Sequence, residues 1–257
     1  MTTNHAEAVT GDVPVEPRRA RRGPGALAAG FLRQYSLLVL LLLSLLAYGT
    51  WTRTADVFNQ AANFQNIAGS QSVLAVLTLG LLIPMISGNL DLSIGSTAGL
   101  SSIAAAGAYA DAGVPLIVGV LFGIAVGAVV GLVNGLVVTR FGIDSFIVTL
   151  GTASLILGAV NWYSKGNSII QGIPQEVISF GGGLTLGVPN LVYVLIVAAL
   201  VVYYLLEQTP YGRNLHAIGS NKAASRLVGI RVERDTCIAF VLSGTFAGLA
   251  GVMLLAR

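Results

Sequence analysis

Apolar residues in this chain gather into long unbroken runs instead of alternating or recurring at the period of a surface helix. Leu37–Leu46 and Val73–Leu82 are nearly continuous in leucine, valine and alanine. Between charged residues lie seven stretches of 19 residues or more: 34–52, 57–90, 92–110, 112–139, 145–164, 177–206 and 236–256. A helix crosses the hydrocarbon core with about 20 mostly apolar residues. The pattern therefore predicts helices over Ser36–Trp51, Ile67–Ser87, Leu92–Ala110, Val114–Val138, Phe146–Tyr163, Leu191–Leu206 and Thr236–Ala256. The expected fold class is all-α, a polytopic membrane bundle of about seven transmembrane helices. A transmembrane barrel would show short segments of alternating polarity instead.

Composition narrows the picture further. Of the 257 residues only 10% are charged, against about 25% in soluble domains. The single cysteine, Cys237, excludes an intrachain disulfide, a thiolate metal cluster and a CxxC redox pair. Paired carboxylates are absent from the spans, as are His, Glu and Lys, so no catalytic residue is expected. His5 and His216 stand in separate settings and suggest no metal site. Residues 1–34 are polar, rich in Ala, Gly and Pro, and carry Arg18, Arg19, Arg21, Arg22 and Arg33. They read as a flexible basic tail, with the membrane domain over 35–257. With the amino terminus in the cytoplasm, eleven basic residues lie inside: the tail's five, Arg140, and Arg213, Lys222, Arg226, Arg231 and Arg234. Three (Arg53, Lys165 and Arg257) lie outside, which satisfies the positive-inside rule. A signal peptide is the rival for the first apolar segment. No small-x-small site follows at Ala47–Trp51 and more spans come after, so the segment reads as an uncleaved helix. Seven spans put the carboxyl end outside, with Arg257 directly after the last helix.

Several features inside the spans invite two readings. Gly119, Gly123, Gly127, Gly131 and Gly135 recur every four residues on one helix face. Such a face lets helix backbones approach closely, as a fixed packing surface or as a sliding interface. Gly244 with Gly248, and Ala247 with Gly251, repeat the device. Pro84 is expected to kink or break its helix. The segment Ser87-Gly88-Asn89-Leu90-Asp91-Leu92-Ser93 joins two apolar stretches with almost no loop. Asp91 or Asn89 suits a helix cap there, and Asp91 also suits a constriction in a solute path, since ionisable groups at membrane depth are rare. Asn134 and Asn161 either bond across to another helix or line that path. Segment 164–190, with Lys165, Glu176 and Gly181-Gly182-Gly183, reads as an external loop with room for a short surface helix.

Loop 207–235 is more specific. Ser220 or Asn221 is a good N-cap and Gly229 a good stop, which predicts a helix of about two turns. Ala224, Leu227 and Val228 share one face and Lys222 and Arg226 another. A helix this short is marginal alone, so its apolar face reads as a docking surface, or as one lying on acidic lipid.

Three ordered blocks carry a family resemblance. Ser87-Gly88-Asn89-Leu90-Asp91-Leu92-Ser93-Ile94-Gly95 is the first. Asn134-Gly135-Leu136 followed by Phe146-Ile147-Val148-Thr149-Leu150-Gly151-Thr152 is the second. Gly212-Arg213, Ala217-Ile218-Gly219, Asn221, Ala224, Arg226-Leu227 and Gly229-Ile230, continuing into Leu242-Ser243-Gly244 and Ala247-Gly248-Leu249-Ala250-Gly251, form the third. From about Gln65 onward the chain resembles permease subunits of bacterial ABC importers for monosaccharides, the ribose-transporter-like permease family. It departs in having Ala223 where the family often has an acidic residue, and Asn89 for a usual glycine. The family's last helices are expected to be absent.

The resemblance implies an inner-membrane subunit forming the path for a sugar with a second permease copy, in a homodimer or heterodimer. Separate ABC ATPase subunits would hold the ATP and Mg, with no cofactor on this chain, and an external sugar-binding protein, periplasmic or lipid-anchored, would deliver the solute. Membrane lipids are the remaining partner, and nucleic acid is not one. No G-x-x-x-x-G-K-[ST] loop is present, consistent with ATP hydrolysis on a partner. Asn221, Ala224, Arg226, Leu227 and Gly229 are the implied ATPase contact. Asn89, Asp91, Ser93, Asn134, Thr149 and Asn161 are the candidates for the path or its gate. The rival readings are an ATP-independent channel or secondary carrier, which would want more intramembrane charge, and a truncated permease that does not transport.

Overall fold

The computed structural model describes residues 24–51, 53–167 and 171–257. It divides into two compact units, Met1–Asn59 and Gln60–Arg257.

The first unit holds α1 (Pro24–Thr50) and the short α2 (Ala55–Phe58). Helical backbone covers 24–34, a stretch assigned from sequence to the tail, and is interrupted at Tyr35 (φ −114°, ψ 18°). The rest of the expected tail, 1–23, lies outside the described residues. Tyr48 stacks on Phe58 with ring centroids 5.8 Å apart, which folds α2 back along the end of α1.

The second unit contains α3 (Ala61–Ile86), α4 (Ile94–Ala112), α5 (Leu116–Phe141), α6 (Ser145–Ser164) and α7 (Gln175–Gly182). A two-stranded hairpin follows, β1 (Leu184–Thr185) against β2 (Val188–Pro189). Then come α8 (Asn190–Tyr203), one π-helical turn (Tyr204–Gln208), α9 (Pro210–Ser220), α10 (Lys222–Leu227) and α11 (Val232–Leu255). Segment 164–190 thus contains the short helix for which it had room, with Val177 and Gly181 buried.

Among the described residues, six helices are long and apolar enough to cross a membrane: α1 from Arg33, α3, α5, α6, α8 with its π turn, and α11. The seventh expected span is α4, which is a helix of 19 residues but is rich in Gly, Ser, Thr and Ala. Its physical setting explains the difference. α4 packs against α11, α5 and α6, with Thr97, Ala98, Ser101 and Ala105 buried, so protein covers its faces and large apolar side chains are not needed.

α11 is the core element. Its apolar stretch is 61% buried, against 39% or less in the other five, and it packs mainly on α5, then α4 and α3. The glycine stripe of α5 makes the first of these contacts. A Cβ at Gly127 would meet the carbonyl oxygen of Gly244, and one at Gly244 would meet that of Gly127. Gly131 is set against the Phe240 carbonyl, Gly123 against Val252 and Gly135 against Cys237. Gly119 differs: it receives the ring of Tyr109 from α4. Backbones in contact along several turns leave no space for any side chain between them.

Pro84 lies in the last turn of α3, which runs through it and stops at Ile86. The stop is made locally. The Pro84 carbonyl accepts from Ser87 N–H, Asn89 N–H and the Ser87 hydroxyl, and Gly88 adopts φ +79°, a conformation that favours glycine.

Candidate functional site

In the connection from α3 to α4, residues 87–93, Ser87, Asn89, Asp91 and Ser93 are buried while Leu90 and Leu92 are exposed. Asn89, Asp91 and Ser93 each find a partner on a different helix. Asp91 is 2% exposed. Its Oδ1 accepts from the Ser93 backbone N–H at 3.1 Å and the Ser93 hydroxyl at 2.6 Å. Its Oδ2 accepts from Ser243 of α11 at 2.8 Å. The first pair is the local, cap-like arrangement; the second crosses the bundle. Among the described residues no basic side chain pairs with Asp91, so hydrogen bonds alone satisfy it.

The network continues from Ser93. Asn134 of α5, fully buried, donates from Nδ2 to the Ser93 hydroxyl at 2.9 Å and accepts from Thr152 of α6 at 2.7 Å. Ser145, Thr149 and Thr152 share one face of α6. Ser145 Oγ accepts from the Leu90 backbone N–H at 3.1 Å and Thr149 Oγ1 from that of Leu92 at 3.1 Å. These two bonds satisfy backbone donors that this connection would otherwise leave unpaired. Asn89, 4% exposed, donates to the Ser87 hydroxyl at 2.8 Å, while its Oδ1 faces Lys222 Nζ of α10 at 3.5 Å. Asn89, Asp91, Ser93, Asn134 and Thr149 therefore come together. Asn161 does not: it is exposed, and lies 12 residues beyond Thr149 on α6, about 18 Å along the helix.

Four partners are not among the site residues expected from sequence: Ser145, and Thr152, Ser243 and Lys222, which the sequence presents only within the family blocks or on the face of the short cytoplasmic helix. A signal existed for some of them. Ser243, Ala247 and Gly251 recur every four residues, so the serine belongs to the small-residue face of α11. Ser145, Thr149 and Thr152 follow the same logic on α6.

The segment after α8 contains more structure than the single helix expected. Thr209 caps α9, accepting from Gly212 N–H at 3.3 Å, and Pro210 occupies its first turn. That Thr-Pro pair was the legible signal for α9. Leu215 and Ile218 are fully buried, and Gly219 lies against the carbonyl of Ile86 at the end of α3. Tyr211 donates to the Asp235 carbonyl at 3.0 Å and Asn214 to the Asp235 carboxylate at 3.0 Å, joining α9 to the start of α11. Burial, with Asp235 and Cys237 nearby, pushes the Tyr211 phenol well above its usual range, so it stays a donor.

α10 is anchored far less. Asn221 caps it, accepting from Ala224 N–H at 3.0 Å, and Gly229 ends it at φ +85°. Leu227 is 89% and Val228 76% exposed, and Ala224 is exposed too. Arg226 pairs with Glu233, both more than half exposed. Between α10, the 87–93 connection and the α5–α6 turn lies a polar cavity of about 330 Å³, lined by residues including Asn89, Ser145, Lys222, Arg226 and Thr236. The larger cavity of about 790 Å³ along α8 is almost wholly apolar and contains none of the polar cluster. Among the described residues no three His, Cys, Asp or Glu side chains assemble as a metal site.

Comparison with known proteins identifies the chain's relatives. A family model described as "Branched-chain amino acid transport system / permease component" matches residues 63–257. The autoinducer 2 import system permease protein LsrC of Enterobacter sp. (strain 638) is 36% identical over 187 residues, covering 73% of this chain and 54% of that protein. The ribose import permease protein RbsC of Escherichia coli (strain K12) is 32% identical over 232 residues, 89% of this chain and 71% of that one. The RbsC of Bacillus subtilis (strain 168) is 33% identical over 201 residues, 78% of this chain and 62% of that one. The chain thus spans between 54% and 71% of the length of these relatives. No solved structure matches it.

Proposed function

The chain belongs to the permease-component family of branched-chain amino acid transport systems, and on that premise we propose that it is a permease subunit of an ABC importer for a monosaccharide. It is a multi-pass membrane protein of the bacterial inner membrane, with its amino terminus in the cytoplasm. Its α9–α10 end then faces the cytoplasm, where Arg213, Lys222, Arg226, Arg231 and Arg234 cluster. Separate ATPase subunits bind ATP and Mg, a second permease copy completes the path, and an external binding protein delivers the sugar. The chain itself carries out no catalysis.

The observation that carries this reading is α10. A six-residue helix, capped by Asn221, holds Leu227 and Val228 out of the protein at the end of the bundle where the basic residues gather. Apolar side chains presented on so short a helix suit a protein groove, and Asn221, Ala224, Arg226, Leu227 and Gly229 form the contact. The ribose and autoinducer-2 relatives support a sugar-like solute.

The test is to purify the tagged chain in mild detergent from its native host, assay bound ATP hydrolysis, and measure ribose and leucine uptake after reconstitution. ATP-dependent ribose uptake, with Leu227→Asp losing the ATPase at equal membrane abundance, is the expected result. ATPase retention and normal uptake in Leu227→Asp would refute the α10 contact. Leucine uptake in place of ribose would overturn the sugar assignment.

A further inference from the structure

We propose that Lys222 and Asn89 are positioning residues that pass movement of α10 into the 87–93 connection, from which the buried Asp91 hands it to α11 through Ser243. This rests on the transport reading above and deepens it by naming the route between the docking helix and the core.

Anchoring is uneven at this end of the bundle. α9 is fixed by Leu215, Ile218 and the two bonds to Asp235. α10 is bounded by two non-helical points, extended Asn221 (φ −159°, ψ 103°) and Gly229 (φ +85°). Backbone rotation at those points moves the helix as a unit. Space for that movement exists in the cavity of about 330 Å³ beneath it. Thr236 lines the same cavity, and its buried hydroxyl has no hydrogen-bond partner. A shift that closes the cavity can provide one.

On α10, the Ser225 side chain is buried but bonds only the Asn221 carbonyl at the start of its own helix. Arg226 pairs at the surface with Glu233, and Lys222 reaches inward to the buried Asn89. The Lys222–Asn89 contact is long at 3.5 Å, whereas the bonds beyond it are short. Asn89 holds Ser87 at 2.8 Å, Asp91 holds Ser93 at 2.6 Å and Ser243 at 2.8 Å, and Asn134 holds Ser93 at 2.9 Å. The loose member is therefore at the α10 end, and everything behind it moves together. α11 begins five residues after α10 ends and packs on α3, α4 and α5. A displacement entering at Asn89 thus reaches the central helix.

The experiment measures ATP hydrolysis and ribose uptake on the same reconstituted complex, normalised to folded protein, for Lys222→Met, Lys222→Arg, Ser243→Ala and Lys222→Met/Ser243→Ala. Lys222→Met and Ser243→Ala are each expected to lower uptake per ATP hydrolysed by about tenfold, with hydrolysis and ATPase recovery unchanged. Lys222→Arg should restore most of the ratio. The double variant should be no worse than the more affected single one, because both break one link. Independent, multiplying losses would overturn the proposal, and so would an unchanged ratio. Parallel loss of hydrolysis and uptake in Lys222→Met would make Lys222 part of the docking contact and overturn it too. Wild-type complex without ATP hydrolysis would instead sink the transport reading, and this inference with it.

Discussion

Ser243 of α11 donates a hydrogen bond of 2.8 Å to Asp91, 152 positions earlier in the chain, and both side chains are buried. The bond pins the start of α4 to the middle of the most buried helix. Asp91→Ala removes the acceptor and leaves the Ser243 and Ser93 hydroxyls and the Ser93 N–H without it. Orphaned buried groups cost about 1–3 kcal/mol each. Asp91→Ala should therefore lower the unfolding midpoint in detergent clearly more than Ser243→Ala, which leaves both bonds to Oδ1 intact. Equal shifts would refute the ranking.

The α5–α11 contact predicts a contrast between glycines. A Cβ at Gly127 runs into the Gly244 carbonyl and the Gly248 backbone, whereas one at Gly158 of α6 meets nothing within 4 Å. Overpacking of this kind costs about 1–3 kcal/mol. Gly127→Ala should destabilise by that order, and Gly158→Ala should be neutral or slightly stabilising through helix propensity. Thermal unfolding of the two variants beside wild type checks both.

Asn134 and Thr152 offer a direct measure of one interhelical bond. The hydroxyl of Thr152 donates to Asn134 Oδ1 at 2.7 Å. A double-mutant cycle of Asn134→Leu and Thr152→Val should return a coupling of about 0.6 kcal/mol and no more than about 2 kcal/mol, the range for hydrogen bonds between membrane helices. Zero coupling would mean that the two side chains act independently.

Leu215 and Leu227 have the same side chain at opposite extremes of burial, 0% and 89% exposed. Leu215→Asp buries a charge and should abolish folded protein on size-exclusion chromatography. Leu227→Asp should leave the unfolding midpoint within about 0.5 kcal/mol of wild type, as surface changes do. Loss of fold in Leu227→Asp would remove its value as a docking probe.

The amino-acid sequence determined by itself where the long helices of the bundle fall, because covering a hydrocarbon core demands a length and polarity that each segment carries locally. Its count of seven included α4, which falls outside the six apolar enough to cross a membrane among the described residues. The sequence also narrowed the cap of α10 to Ser220 or Asn221 and set the stop at Gly229, which depend on residues within one turn; the structure selects Asn221. The glycine register of α5 was equally plain, but its partner was not. Only the tertiary structure decided that Gly127 meets Gly244, that Asp91 reaches Ser243, and that Asn134 stands between Ser93 and Thr152. It decided too that α4 needs few large apolar residues, since neighbouring helices cover it. Those outcomes depend on which helices lie side by side, and residues far apart in the chain acquire a partner only when packing brings their faces together. A periodic small-residue face says that something must lie against it, and close packing across the whole bundle selects what does.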